Sequence, residues 1–225
     1  MTAADEPRVP FTDRRQAGQV LAEKLEPYRG RENLIVLALP RGGVAVGFEV
    51  AHALQAPLDV FVVRKLGFPG HEEYAMGAIA SGGVRVMNPS PGRRVSAEVL
   101  AAVVAREQNE LTRRELLYRD GKPAVGIRGC TVIVVDDGLA TGATMRAAVT
   151  AIRQQRPEHL VVAVPVGAEE TCRQLRDEAD EVVCAATPRP FRAVGEWYRD
   201  FPQASDDEVR QLLDEAHREH ALSIH

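Results

Sequence analysis

The stretch TVIVVDDGLATGAT, Thr131 to Thr144, constrains this chain more than any other. Its first five residues are all β-branched, with the length and side-chain type of a fully buried strand. Asp136 and Asp137 emerge at the C-terminal end of that strand, where open α/β sheets place their ligands. The small-residue loop from Gly138 to Thr144 then leads into a helix. Its backbone N–H groups and the two threonine hydroxyls form a ready anion site. Two carboxylates beside an anion site suit a ligand with both a vicinal diol and a phosphate, a ribose 5-phosphate first of all. A strand–turn–helix with no ligand is the plain alternative.

Short apolar runs and helical stripes alternate along the rest of the chain. Asp13 to Leu25 carries Ala17, Val20, Leu21 and Leu25 at helical spacing, Leu34 to Leu39 is a buried strand, and Val44 to Leu54 is the helix after it. Leu58 to Val63 is a second strand. Ala78 to Ala80 and Val84 to Met87 form a hairpin through Ser81-Gly82-Gly83. Ser96 to Leu117 is a long helix with Val99, Leu100, Val103, Val104 and Leu111 on one face and a Glu110–Arg114 pair on the other. After the Thr131 strand come a helix over Met145 to Gln155, a strand over Leu160 to Val166, a helix near Glu169 to Asp177 and a strand over Val182 to Ala185. An irregular aromatic tail follows, and Ser205 with Glu208 forms a capping box for a last helix that turns Val209, Leu212, Leu213 and Ala216 inward. Alternating βα units predict a mostly parallel sheet with helices on both faces. Residues 1–225 form one domain, with 1–10 expected to be disordered and 187–225 forming a tail and the final helix.

If the strands are parallel, the loops that follow them share one edge. Pro40-Arg41-Gly42-Gly43 follows Leu34 to Leu39, with glycines that permit close approach and an arginine fork suited to phosphate oxygens. Arg64-Lys65 follows Leu58 to Val63, an odd place for two cations unless an anion sits opposite. Read singly, the first is a turn with a solvated arginine and the second a pair that guards a strand edge. Read with the acid pair and the helix N-terminus, they complete a charge map of cations for a diphosphate, acids for a diol and amides for a monophosphate.

The Thr131–Thr144 run resembles the phosphoribosyl-pyrophosphate (PRPP) signature of type I phosphoribosyltransferases: four apolar residues, two acids, a variable trio, then Thr-Gly-x-Thr. The resemblance implies that Asp136 and Asp137 hydrogen-bond the ribose 2- and 3-hydroxyls. It makes Gly138, Leu139, Ala140, Thr141, Gly142, Ala143 and Thr144 the 5-phosphate loop. Arg41 and Gly42 map onto the family's pyrophosphate loop, which often contains a strained or cis peptide, and Arg64-Lys65 onto a similar pair in orotate phosphoribosyltransferases. Magnesium is the implied cofactor, held chiefly by substrate oxygens with Asp136 or Asp137 direct or through water. In 6-oxopurine enzymes the residue before Thr-Gly is an aspartate base. Here it is Ala140, and DDGLATGAT is closer to the adenine type, so no general base is assigned. Glu72 and Glu73 lie in Leu66 to Met76, a glycine-containing lid or an ordinary surface loop, and either is a candidate base or a solvated acid. The strings DRRQAG, LPRGGVAVG, VVRKLG, AMGAIASGG and AVGEWYRDF resemble a group of bacterial stand-alone predicted phosphoribosyltransferases of unsettled substrate.

The implied fold is the type I phosphoribosyltransferase fold, with a hairpin and long-helix insertion and a small C-terminal hood. The implied activity is transfer of the phosphoribosyl group to a nitrogenous acceptor, with a PRPP sensor lacking catalysis as the chief rival and a sugar-phosphate hydrolase as a weaker one. Phe191, Trp197, Tyr198 and Phe201 either stack an aromatic acceptor or pack the tail onto the sheet. A homodimer is expected from relatives. The formal net charge of −4 gives no case for nucleic acid or an anionic membrane, and no apolar run reaches membrane-spanning length. MTAADEPRVP has no secretory pattern, and Cys130, Cys172 and Cys184 are expected as reduced thiols, so the cytoplasm is the expected compartment. His217 and His220 lack a third ligand nearby and read as a solvated helix face. The glycines around Gly42 match neither a dinucleotide fingerprint nor a P-loop.

Overall fold

The computed structural model describes residues 9–87 and 95–223; residues 1–8 of the segment expected to be disordered lie outside them. The apolar runs form β1 (Leu34–Ala38), β2 (Leu58–Val60), β6 (Thr131–Val135), β7 (His159–Val166) and β8 (Glu181–Ala186). These join side by side in the order β2-β1-β6-β7-β8, and every neighbouring pair is parallel. All of β1, and all of β7 beyond His159, is buried, as expected of strands covered on both faces.

Helices supply both covers. On one face lie α1 (Arg14–Lys24), α2 (Gly43–Leu54) and α6 (Asp206–Ser223), whose Leu21, Val50, Leu54, Leu212 and Leu213 pack with Val36, Ile133 and Val161 of the sheet. On the other lie α4 (Ala143–Gln154) and α5 (Glu169–Leu175), whose Met145, Val149, Ile152 and Leu175 meet Ile35, Leu37, Val134 and Val162. Alternate residues of one strand thus feed two cores. Local signals set the helix starts. The Asp13 carboxylate accepts from the Gln16 amide at 2.8 Å to open α1, and Ser205 Oγ accepts from the Glu208 amide at 3.1 Å to open α6. Val209, Leu212, Leu213 and Ala216 of α6 are buried as the spacing required. Among the described residues no helix is long and apolar enough to cross a membrane.

Between β2 and β6 the chain builds a second, antiparallel sheet of β3 (Val63–Phe68), β4 (His71–Ala80) and β5 (Val84–Met87), followed by α3 (Ala97–Arg119). The expected hairpin through residues 81–83 is its β4–β5 turn, and Glu110 pairs with Arg114 on α3 at 2.8 Å. Val99, expected on the inner face of this helix, is instead 40% exposed.

Three expectations need correction. The strand read as Leu58 to Val63 ends at Val60. Phe61 still donates to the Ala38 carbonyl, but the Val62 amide turns to Ser81 Oγ at 2.9 Å, and Val63 opens the other sheet. Arg64 and Lys65 therefore lie within β3, not in a loop at the edge of the parallel sheet. Leu66 to Met76, read as a lid or surface loop, is the β3–β4 hairpin turning at Pro69-Gly70. Glu72 and Glu73 fall on β4, and their side chains lie outside the described residues. Finally, Cys172 and Cys184 form a disulfide, with Cα atoms 6.7 Å apart, because α5 folds back beside β8; only Cys130 is free. A pair separated by 12 positions on different element types has no sequence signature.

Candidate functional site: an acid pair beside an uncapped helix

β6 delivers Asp136 and Asp137 to the C-terminal edge of the parallel sheet, between the loop after β1 and the loop after β7. The Asp137 amide donates to Asp136 Oδ1 at 2.9 Å, which fixes the Asp136 carboxyl group against the backbone of its neighbour. Burial pushes the Asp136 carboxyl well above the usual carboxylate range, and the charge of Asp137 adds to the shift. Burial also raises Asp137, against the opposing pull of Arg14, whose Nε donates to Asp137 Oδ2 at 2.8 Å. Only 16% of the Asp137 side chain and 12% of the Arg14 side chain reach solvent.

The Pro40–Gly43 loop lies directly on these acids. Its Pro40–Arg41 peptide is cis, within the stretch where the resemblance placed a strained or cis peptide. A Cβ on Gly42 would stand 2.7 Å from Asp137 Cγ and closer still to Oδ2, and one on Gly43 would stand 2.9 Å from Asp136 Cα. Only glycine allows this approach. Arg41 is half-buried and close enough to Tyr118 to favour the ionised phenol, although burial and the Asp206 hydrogen bond push that hydroxyl up to about 12.

Gly138 to Gly142 is held from below by the segment after β7. Leu139 donates to the Val166 carbonyl at 2.9 Å and accepts from Ala168 at 2.8 Å, and Thr171 Oγ1 donates to the Ala140 carbonyl at 2.7 Å. Gly142 adopts φ +75°, in the region that favours glycine, and caps α4 without a side-chain acceptor. The Arg146 amide closes the first helical bond, onto Gly142. The amides of Ala143 and Thr144 precede it, so the helix itself offers them no acceptor, and no acidic residue occupies the first turn. The combined N–H groups and helix dipole favour an anion at that point.

Of the residues singled out from sequence, Gly42, Asp136, Asp137 and the Gly138–Thr144 turn converge. Arg64 does not join them. Consecutive strand residues point to opposite faces, and Arg64 turns toward α3, where Nη2 and Nε reach Glu107 Oε2 at 2.7 and 3.0 Å. Lys65, on the other face, lines a cavity of about 200 Å³ with Ala143, Arg146 and Thr150 of α4, so it stays near the helix N-terminus. The aromatic tail packs onto the sheet end: Tyr198 is buried against Phe11 and Phe201, and its hydroxyl donates to the Asp137 carbonyl. Burial and the nearby Asp137 charge raise the Tyr198 phenol far above its ordinary value. His217 and His220 belong to no cluster of three or more potential metal ligands among the described residues.

Three contributors escape the motif: Arg14, Thr171 and Tyr198. Each acts on residues 137–140 from another part of the chain; the resemblance of DRRQAG and AVGEWYRDF pointed to the segments of Arg14 and Tyr198, and nothing pointed to Thr171.

Residues 13–196 match the family model described as the phosphoribosyl transferase domain. Two curated Mycobacterium tuberculosis proteins, named "Putative phosphoribosyl transferase MT0597" (strain CDC 1551 / Oshkosh) and "Putative phosphoribosyl transferase Rv0571c" (strain ATCC 25618 / H37Rv), are each 48% identical over 213 residues. The alignment covers 94% of this chain and 48% of each relative, so the chain spans about half the length of the curated relatives it matches. The crystal structure of TT1426 from Thermus thermophilus superposes with a TM-score of 0.80 at 44% identity, covering 91% of this chain and 98% of that one. On the family match, these identities and the shared parallel-sheet fold, the chain belongs to the phosphoribosyl transferase family.

Proposed function

We propose that this chain binds PRPP with magnesium and transfers its 5-phosphoribosyl group to a nitrogenous base or similar acceptor, releasing pyrophosphate. One observation carries the reading: a pair of adjacent carboxylates and an uncapped helix N-terminus share one end of the parallel sheet. Ionised carboxyl groups accept from the ribose 2- and 3-hydroxyls, and the amides and hydroxyls of Thr141 to Thr144 take the 5-phosphate. As the C1–O bond breaks, positive charge grows on the ribose ring and negative charge on the departing diphosphate. Arg41, in the loop that lies on the acid pair, and Lys65, beside the start of α4, are the cations that would face that charge.

The acid pair suits magnesium. Asp136 Oδ1 accepts from the Asp137 amide and Asp137 Oδ2 from Arg14, and each carboxyl group keeps further hard acceptor positions. Magnesium is commonly held by one or two carboxylates together with substrate phosphates and water. When bound, it would supply charge neutralisation of the diphosphate.

A second reading rests on Ala140. The residue before Thr141-Gly142 has no acid or base, and its carbonyl is taken by Thr171, so a PRPP sensor without turnover fits this loop equally. Pyrophosphate release with PRPP, magnesium and a panel of purine and pyrimidine bases separates the two. Acceptor-dependent release is expected, and replacing Asp136→Asn with Asp137→Asn should abolish PRPP binding while leaving the melting temperature at or above wild type. PRPP binding with no turnover on any acceptor would favour the sensor. No PRPP binding in calorimetry would overturn both.

A further inference from the structure

Arg14 lies outside the signature, on the first turn of α1, 123 positions from the carboxylate it grips. Its guanidinium is held on three sides. Nε donates to Asp137 Oδ2 at 2.8 Å, Nη1 donates to the Pro202 carbonyl at 2.7 Å, and the planar group lies 3.8 Å from the centroid of the Phe201 ring. A planar, permanently charged fork can meet these three demands together, and an ammonium cannot. One oxygen of Asp137 is thus consumed by Arg14, and the carboxyl plane is fixed by a group clamped between two chain segments. Asp137 Oδ1 accepts from no other side chain among the described residues.

Resting on the ribose reading above, we propose that Arg14 is the positioning residue for hydroxyl recognition: it aims the free oxygen of Asp137 at the ligand's diol. Arg14 would act through Asp137, whereas the phosphate end of the ligand depends on the α4 turn, which Arg14 does not touch.

That separation supplies the test. Ribose 5-phosphate, 2-deoxyribose 5-phosphate and inorganic phosphate are titrated calorimetrically into wild type, Arg14→Gln and Arg14→Lys at one pH. Wild type should prefer the ribose ester by about tenfold, the order of one charge-assisted hydrogen bond. Arg14→Gln should lose that preference while binding inorganic phosphate as wild type does. Arg14→Lys keeps the charge but cannot serve both Asp137 and Pro202, and should retain a reduced preference. It also keeps the test open should the glutamine variant fail to fold. If a folded variant discriminates ribose from deoxyribose as sharply as wild type, Arg14 is merely structural and the inference is overturned. If wild type itself shows no preference, the ribose assignment has failed, and the role of Arg14 fails with it.

Discussion

Gly42 is where one residue type decides the site. Its φ of −60° suits any residue, so the demand is steric: Gly42 touches the Asp137 carboxyl group and has no room for a side chain. Gly42→Ala should therefore push Asp137 off Arg14. Overpacking of this kind costs about 1–3 kcal/mol. The larger effect should fall on binding, with PRPP affinity in calorimetry reduced at least about tenfold, equivalent to roughly 1.4 kcal/mol. An alanine variant that binds as wild type would show that the loop and the acid pair move independently. Gly42, Asp136 and Asp137 were legible in the sequence because each sits beside a run that announces a buried strand. Arg14 was not, because its partner is set by how α1 crosses the sheet, and no local pattern encodes a pairing across 123 positions.

At the scale of elements, the join between α3 and the parallel sheet depends on a buried ion pair. Arg119 and Asp59 have side chains only 7% and 4% exposed; Arg119 Nε reaches both Asp59 oxygens at 2.9 and 3.1 Å, and Nη2 donates to the Val60 carbonyl at 2.7 Å. Asp59 also accepts from the Val60 and Val125 amides, so it ties β2, the end of α3 and the chain entering β6 to one carboxylate. Removing one partner from such a pair strands a buried charge, and Arg119→Met should cost about 3–5 kcal/mol in urea denaturation. Asp59→Leu with Arg119→Met should recover much of that loss but remain below wild type, since two amides lose their acceptor. A single variant as stable as wild type would contradict the burial. The same region shows why β3 was misread. LDVFVV is apolar apart from Asp59, and period alone cannot mark where a chain leaves one sheet for another. The break is made by Ser81, nineteen positions away, which takes the Val62 amide. Outside residues 63–76 the element types were legible, and so was the alternation that makes the main sheet parallel. The second sheet was not, because its pairing depends on that long-range exchange.

The molecule closes on itself at the site. Phe11 donates to the Trp197 carbonyl at 2.8 Å and accepts from Arg199 at 2.8 Å, so the segment entering α1 and the tail after β8 run together across the acid end of the sheet. Phe11, Tyr198 and the partly buried Phe191, Trp197 and Phe201 form a small core of their own there, with Val166 and Ala186 at its floor. Tyr198 connects this core to the site, stacking on Phe201 at 4.8 Å between centroids and passing its hydroxyl to the Asp137 carbonyl. Two contributions can be separated by substitution. Tyr198→Phe keeps the rings together and deletes one hydrogen bond, which should cost about 1 kcal/mol. Tyr198→Ala also empties the small core, and large-to-small changes of this size cost about 3–5 kcal/mol. If the tail steadies the phosphate turn through Asp137, the phenylalanine variant should already speed hydrogen exchange at the amides of residues 138–142, while exchange within β1 stays as in wild type. Should Tyr198→Phe leave those amides unchanged and only Tyr198→Ala affect them, the tail supports the site by filling space, and the hydroxyl bond to Asp137 is incidental to it.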